Sequence, residues 1–413
     1  MSTLPPKSQS ETSRLIQLHF IEAMMSITGN LLGIGIFFFT SNQFHWGLRR
    51  NFMLSTCMGA IYVCGALAAH PLSKKFGRRT TLSVAYCTIG AFSLATYLFT
   101  RQPIVVCTIL VYDFCAAVSW PIVESLVSSG TRDAEVLSRR ISVYNIVWAA
   151  VGTGVLAVVG TIIEHVPRGV FGFSVAACFI SAMISWFGKI EPRTASVEPL
   201  HGGPTPPPEP KLERQRVVAL WLSRICVPAM YIVINALAAM LPSLAVIKTL
   251  RPSVQTLVSS VWFLMRWITF MILGVTAFWH TRPRLLLAAA MLLLLSYIAI
   301  TIRPGELLPI ANSQSRDLTI MILGQIGCGV ALGMIYMASL YFGMVLSEGS
   351  TEQGGYHEAL IGVGTTLGPA AGLLSQYQWP GDQHAAVIAV GSLVGLSILM
   401  ASAASLRFSR KPK

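Results

Sequence analysis

Charge is what this sequence has least of: 11% of its 413 residues are Asp, Glu, Lys or Arg, against 54% hydrophobic. A water-soluble domain carries about 25% charged residues. Less than half that fraction leaves too little polar surface to cover a body in water. Acidic residues are the scarcer sign, 17 against 30 basic, for a formal charge of +13. In a soluble protein that excess would raise nucleic acid as a partner. Here the basic residues sit mostly in short loops between apolar runs, as anionic lipid headgroups and the positive-inside rule require, so no nucleic-acid partner is expected. Cysteine is sparse and without pattern. Cys57, Cys64, Cys87, Cys107, Cys115, Cys178, Cys226 and Cys328 all fall inside apolar runs, with no C-x-x-C and no nearby Cys/His cluster. Neither a disulfide framework nor a zinc site is indicated, and they read as small packing residues. No G-x-x-x-x-G-K-[ST] loop is visible and no loop is long enough for an ATPase domain, which argues against a primary pump in one chain. No cofactor and no metal are expected. The opening MSTLPPKSQSETSRL is polar, with no small-residue cleavage site behind an apolar core, so the first apolar run is expected to be retained as a helix.

What is present is a succession of long apolar runs, at a mean hydropathy of +0.63. A helix needs about 20 apolar residues to cross the hydrocarbon core. Spans are read near 18–40, 51–71, 80–100, 104–128, 140–164, 169–189, 217–243, 254–278, 284–302, 317–345, 355–376 and 384–406. The chain is therefore expected to be an all-α polytopic membrane protein of about twelve helices. Of the 30 Lys and Arg, 20 fall in segments on the side of the termini, 8 in the opposite segments, and Arg224 and Arg266 within helices. That bias places both termini in the cytoplasm. The segment 190–216, IEPRTASVEPLHGGPTPPPEPKLERQR, is rich in Pro and charge and cannot bury a core. It divides the chain into a tail 1–17, a six-helix bundle 18–189, the linker itself, a second bundle 217–406 and a basic tail 407–413. Two tethered bundles of this kind can rock against each other.

An internal repeat supports the division. The fifth run reads YNIVWAAVGTGVLAVVG from Tyr144 and the eleventh YHEALIGVGTTLGPAAG from Tyr356. Tyr144/Tyr356, Val151/Val363, Gly152/Gly364, Thr153/Thr365 and Gly160/Gly372 coincide, at the fifth helix of each half.

The loop between the second and third runs, HPLSKKFGRRTTL, resembles the G-x-x-x-D-x-x-G-R-R loop of the major facilitator superfamily at the same place. Gly77, Arg78 and Arg79 match; His70 stands for the first Gly and Lys74 for the Asp. The eleventh run carries Gly364-x-x-x-Gly368-Pro369-x-x-Gly372, similar to the G-x-x-x-G-P-x-x-G pattern the superfamily often places in its fifth helix. Small residues there permit close backbone approach, and proline a bend. The runs LMRWITFMILGVTAFWHTRP and SLYFGMVLSEGSTEQGGYHEALIG also resemble a bacterial branch of the superfamily. The resemblance covers nearly the whole chain. It implies the twelve-helix fold of secondary transporters, a gating role for the Gly77–Arg78–Arg79 loop, and a cavity lined by the first helix of each three-helix repeat. Asn30, Tyr231 and Asn235 are thereby plausible polar contacts. Lys74 in place of the acid departs from the pattern and leaves the usual charge relay of that loop in question.

A charge inside the membrane costs about 2.5–3.5 kcal/mol on insertion scales, so each needs an explanation. From Asp113, steps of four, seven and eleven residues reach Ala117, Trp120 and Glu124 within about 40° on one helix face. That stripe reads as a cavity wall with titratable groups and an aromatic platform, or as a packing stripe with Glu124 neutralised by loop arginines. Arg266 cannot discharge itself. It binds substrate or pairs with an acid such as Glu358. Glu358, with Thr365 and Pro369 farther along its face, can take up and release protons when partly desolvated, or be a first-turn acid at the membrane surface. His357 reads as packing, and Glu22 and Arg224 as anchors that snorkel to the headgroups.

The expected function is secondary active transport of a small solute across the bacterial inner membrane by alternating access, driven by protons or another coupling ion. The chain is expected to act as a monomer in contact with membrane lipids and not as an enzyme. Acids outnumber bases in the helices, which favours protons, cations or neutral polar solutes. Two rivals stand beside it: a transport-inactive receptor or assembly scaffold, left open by Lys74, and a polytopic membrane enzyme. The enzyme would need a histidine cluster at one face, and the eight histidines are scattered.

Overall fold

The computed structural model describes residues 9–130, 134–192, 210–307, 313–346 and 351–410. Residues 1–8, 193–209 within the expected linker, and 411–413 of the basic tail lie outside them. Among the described residues, twelve long helices form the architecture and no strand occurs. They are α1 (Glu11–Gln43), α2 (Leu48–Phe76), α3 (Arg78–Leu98), α4 (Gln102–Ser128), α5 (Glu135–His165), α6 (Gly169–Phe187), α7 (Pro210–Met240), α8 (Pro252–Val275), α9 (Arg284–Thr301), α10 (Gln314–Leu346), α11 (Thr351–Gln378) and α12 (Gln383–Arg410). Their outward residues are themselves apolar, Phe187, Leu374 and Leu399 among them, as lipid in place of water demands.

Among the described residues, eleven helices are long and apolar enough to cross a membrane. The twelfth, α11, falls short in hydropathy because of its glycines and its polar first turns, yet it packs along α2 and α7. The first and seventh helices begin upstream of the apolar runs, at Glu11 and Pro210. The early turns of α1 have a tertiary role: Arg14 is buried, pairs with Glu11 at 2.8 Å and donates to the Leu126 carbonyl at 2.8 Å. Arg140 meets the same Glu11 at 3.0 Å and donates to the Ser129 carbonyl at 2.6 Å. Two guanidiniums thus answer the orphan carbonyls at the C-terminus of α4.

The chain turns between α2 and α3 at Gly77, whose φ of +82° suits glycine. Beyond it, Arg79 donates to the Ser185 carbonyl at 3.3 Å and to that of Trp186 at the end of α6. The matched loop is therefore tied to a neighbouring helix end. α1 is interrupted by a π-helical turn over Asn30–Ile34.

The halves meet along two seams, α2 against α11 and α5 against α8. A Cβ at Gly160 of α5 would stand 2.1 Å from the Pro252 carbonyl of α8, and one at Gly372 of α11 would stand 2.4 Å from the Phe52 ring of α2. A Cβ at Gly152 would stand 2.9 Å from the Asn30 amide of α1, and one at Gly364 would stand 2.3 Å from the Pro228 carbonyl of α7. The repeated glycines of the sequence thus make equivalent contacts: α5 relates to α8 and α1 as α11 relates to α2 and α7. Gly160→Leu is expected to lose about 1–3 kcal/mol through overpacking against backbone that cannot yield. Gly154→Leu on the same helix, with open space around it, should leave the thermal melting point unchanged. Equal melting of the two variants would refute the close-contact account.

Candidate functional site

Between the halves, at mid-depth, lies a cavity in which about 180 Å³ admits the centre of a water molecule. That is room for several waters or one small organic solute. Both halves line it. Ser26, Asn30, Asp113, Trp120, Tyr144 and Trp148 come from the first; Tyr231, Asn235, Arg266, Tyr336, Glu358 and Thr365 from the second. Of the candidate residues read from the sequence, the structure brings Asp113, Arg266, Glu358, Trp120, Asn30, Tyr231 and Asn235 to this one cavity. Glu124 lies below it, towards the face that carries the termini.

Local structure sets these positions. The π-helical turn begins at Asn30, whose amide donates to the Ser26 carbonyl at 2.8 Å. Irregular turns of this kind recur at functional sites. Gly29 lets Tyr112 of α4 come close: an added Cβ would lie 3.2 Å from its hydroxyl. Asn235 spans α7 and α11 by donating to the Thr365 hydroxyl at 3.1 Å. Asp113 is buried, and its Oδ2 has no hydrogen-bond partner.

Arg266 is held by rings. Its guanidinium carbon lies 4.2 Å from the Trp148 ring centre, 4.6 Å from that of Phe263 and 5.3 Å from that of Trp262. Trp148 belongs to α5, so this cation–π contact crosses between the halves. The alternative of a fixed ion pair with Glu358 is not formed.

Below the cavity, buried carboxyls converge. The Tyr62 hydroxyl of α2 donates to Glu358 Oε2. Ligand atoms of Glu124, His357 and Glu358 lie within 4.8 Å of one another. The His357 ring meets the Ser339 hydroxyl through Nδ1 at 3.0 Å, while its Nε2 and both oxygens of Glu124 are buried without a hydrogen-bond partner. Two carboxyls and an imidazole at this spacing can share a proton, and the same donor set has the chemistry to hold a divalent cation. Two readings are corrected here. Glu124 is not neutralised by loop arginines at the headgroups but sits against Glu358, in the other half. Glu22 does not snorkel: it is fully buried and takes a 2.9 Å contact from His19. Arg224, by contrast, stacks at 5.4 Å on the half-exposed Trp221.

Sequence reasoning missed Tyr62, Tyr112, Trp148 and Tyr336. One signal was available, since Tyr144 and Trp148 are four apart on one helix face and both line the cavity.

Gly364 and Gly368 seat α11 on α7, where added Cβ atoms would lie 2.3 and 2.4 Å from the Pro228 and Ile232 carbonyls. Pro369 lies within α11 without ending it.

Comparison with known proteins adds one match. A family model described as the Major Facilitator Superfamily matches residues 18–369. No curated protein matches the chain significantly.

Proposed function

The chain belongs to the major facilitator superfamily, a family of membrane transporters rather than enzymes, and from that premise we propose that it carries a small solute by alternating access, coupled to protons. The observation that carries this reading is the cavity between the halves, lined from both sides and holding Asp113, Glu358 and Arg266. A site at the junction of two repeats is exposed to either face in turn when the halves rock. Carboxyls that can gain and lose a proton without leaving the bundle supply the coupling. The Tyr62–Glu358 hydrogen bond and the approach of Glu124 to Glu358 link α2, α4 and α11. Proton occupancy there acts on contacts between the halves. The basic bias of the loops supports an inner-membrane location with both termini cytoplasmic, and the cavity is complete within one chain, which supports a monomeric carrier.

The test is uptake by the full chain in proteoliposomes with an imposed pH gradient, offered a mixture of labelled small solutes. At least one solute should accumulate above the level of protein-free vesicles. Asp113→Asn should abolish that accumulation while folding and insertion remain intact, because the amide keeps the shape and loses the titration. Wild-type accumulation by the variant would remove Asp113 from the mechanism. A solute that binds and never accumulates would favour the receptor reading instead.

A further inference from the structure

Of the two basic residues that the sequence places inside the apolar spans, Arg224 has its stack on the half-exposed Trp221. Arg266 is different. It is 3% exposed, at mid-depth, and a guanidinium cannot shed its charge. Among the described residues no carboxylate forms an ion pair with it, and the tyrosines Tyr231 of α7 and Tyr336 of α10 line the cavity beside it. Its Nε is buried without a partner. The three rings answer the face of the guanidinium. No hydrogen bond to its in-plane N–H donors, the fork that matches a carboxylate, is formed among the described residues, and Arg266 is one of the residues that line the cavity.

A buried cation with no ion-pair partner among the described residues calls for an anion from outside. Asp113 and Glu358 line the same cavity, but carboxyls can be neutralised by protons and arginine cannot. The permanent charge of the cavity is therefore positive. Nine of its 22 lining residues are Tyr, Trp or Phe, which suits an apolar or aromatic body better than a sugar or an inorganic oxyanion.

We propose that Arg266 anchors the carboxylate of a small organic anion whose apolar body lies among the cavity tyrosines and tryptophans. This rests on the carrier reading only in taking the cavity as the solute site. It also departs from the count of helix charges, which favours cations or neutral solutes. The count gives Arg224 and Arg266 equal weight, and only Arg266 reaches the cavity.

The test is calorimetric titration of the detergent-purified full chain with two matched sets: phenylacetate, phenylacetamide and phenethylammonium; hexanoate, hexanamide and hexylammonium. In at least one set the carboxylate should bind tenfold or more tighter than its amide, with the ammonium weakest. Arg266→Gln should erase that preference. Should that variant fail to fold, Arg266→Lys keeps a charge but loses the planar fork, and should weaken the carboxylate several-fold while leaving the amide unchanged. Equal binding of acid and amide, preference for the ammonium, or no carboxylate binding in either set overturns the proposal. So does a preference that survives Arg266→Gln, or an Arg266→Lys variant that binds carboxylate as tightly as the wild type. The titration needs no gradient, so its failure is separable from that of transport. Carboxylate binding without uptake in proteoliposomes would remove the carrier reading alone. Uptake of a neutral or cationic solute without carboxylate binding would remove the anion alone.

Discussion

Glu358→Gln is expected to reduce pH-driven accumulation from about tenfold per pH unit to none, while exchange of labelled for unlabelled solute continues. One pH unit is worth about 1.4 kcal/mol, so a carrier moving one proton per solute can sustain a tenfold gradient and no more. Glutamine resembles the protonated acid in shape and charge. Its side-chain oxygen can still accept from Tyr62, whose hydroxyl donates to Glu358 in the native protein. The variant should therefore behave as a carrier fixed in one protonation state: able to turn over loaded with solute, unable to return with its proton released. Glu358 is the better choice for this test than Glu124. It lines the solute cavity and also belongs to the carboxyl cluster beneath it, whereas Glu124 belongs only to the cluster. Undiminished tenfold accumulation by the variant would exclude Glu358 as the coupling group. Loss of exchange together with accumulation would show instead that the residue is needed for solute binding or for folding. A melting curve would separate those two.

The features legible in the sequence are those that depend on local pattern. The apolar runs place all twelve helices, although α11 falls short of the hydropathy of the other eleven, and the glycines shared by the fifth and eleventh runs mark an internal repeat before any coordinate is known. The features not legible depend on register between distant helices. Nothing in the chain near Glu124 shows that it comes to rest against Glu358, 234 residues on; helix periodicity gives a face but not the helix that covers it. Glu22 was open to misreading for the same reason. Eleven residues into α1, it is near enough to the membrane surface to snorkel, yet it is buried, and His19 one turn earlier meets its carboxyl at 2.9 Å. The π-helical turn at Asn30–Ile34 has no local signature beyond its glycines. Arg266 shows both sides of this. Its depth is readable from its place in the run, and its lack of an acid partner is not.

Linking the outer ends of α2 and α11 is expected to stop transport completely while leaving solute binding intact. α2 and α11 touch along their length. Gly59 sits where a Cβ would be 2.5 Å from the Thr366 backbone, Gly362 where one would be 2.7 Å from Val63, and Gly372 against Phe52. At the end farthest from the termini, the Arg49 guanidinium lies 5.6 Å from the Tyr377 ring. Both side chains are exposed there, within reach of a reagent. Alternating access requires this end of the seam to part once in each cycle, because the solute must leave the cavity towards that face. The experiment places cysteines at positions 49 and 377 and bridges them with a short flexible bis-maleimide. The eight native cysteines must first be replaced, since Cys57, Cys64, Cys87 and Cys107 are exposed on helices and would react as well. Uptake should fall to the level of protein-free vesicles after bridging, and should be unaffected when each single-cysteine variant is capped with a monofunctional maleimide. Binding measured in detergent should persist, because the opposite face is still free to open. Transport that continues at the native rate in fully bridged protein would mean that the α2–α11 seam does not part there. The rocking of the two halves would then have to be abandoned as the mechanism.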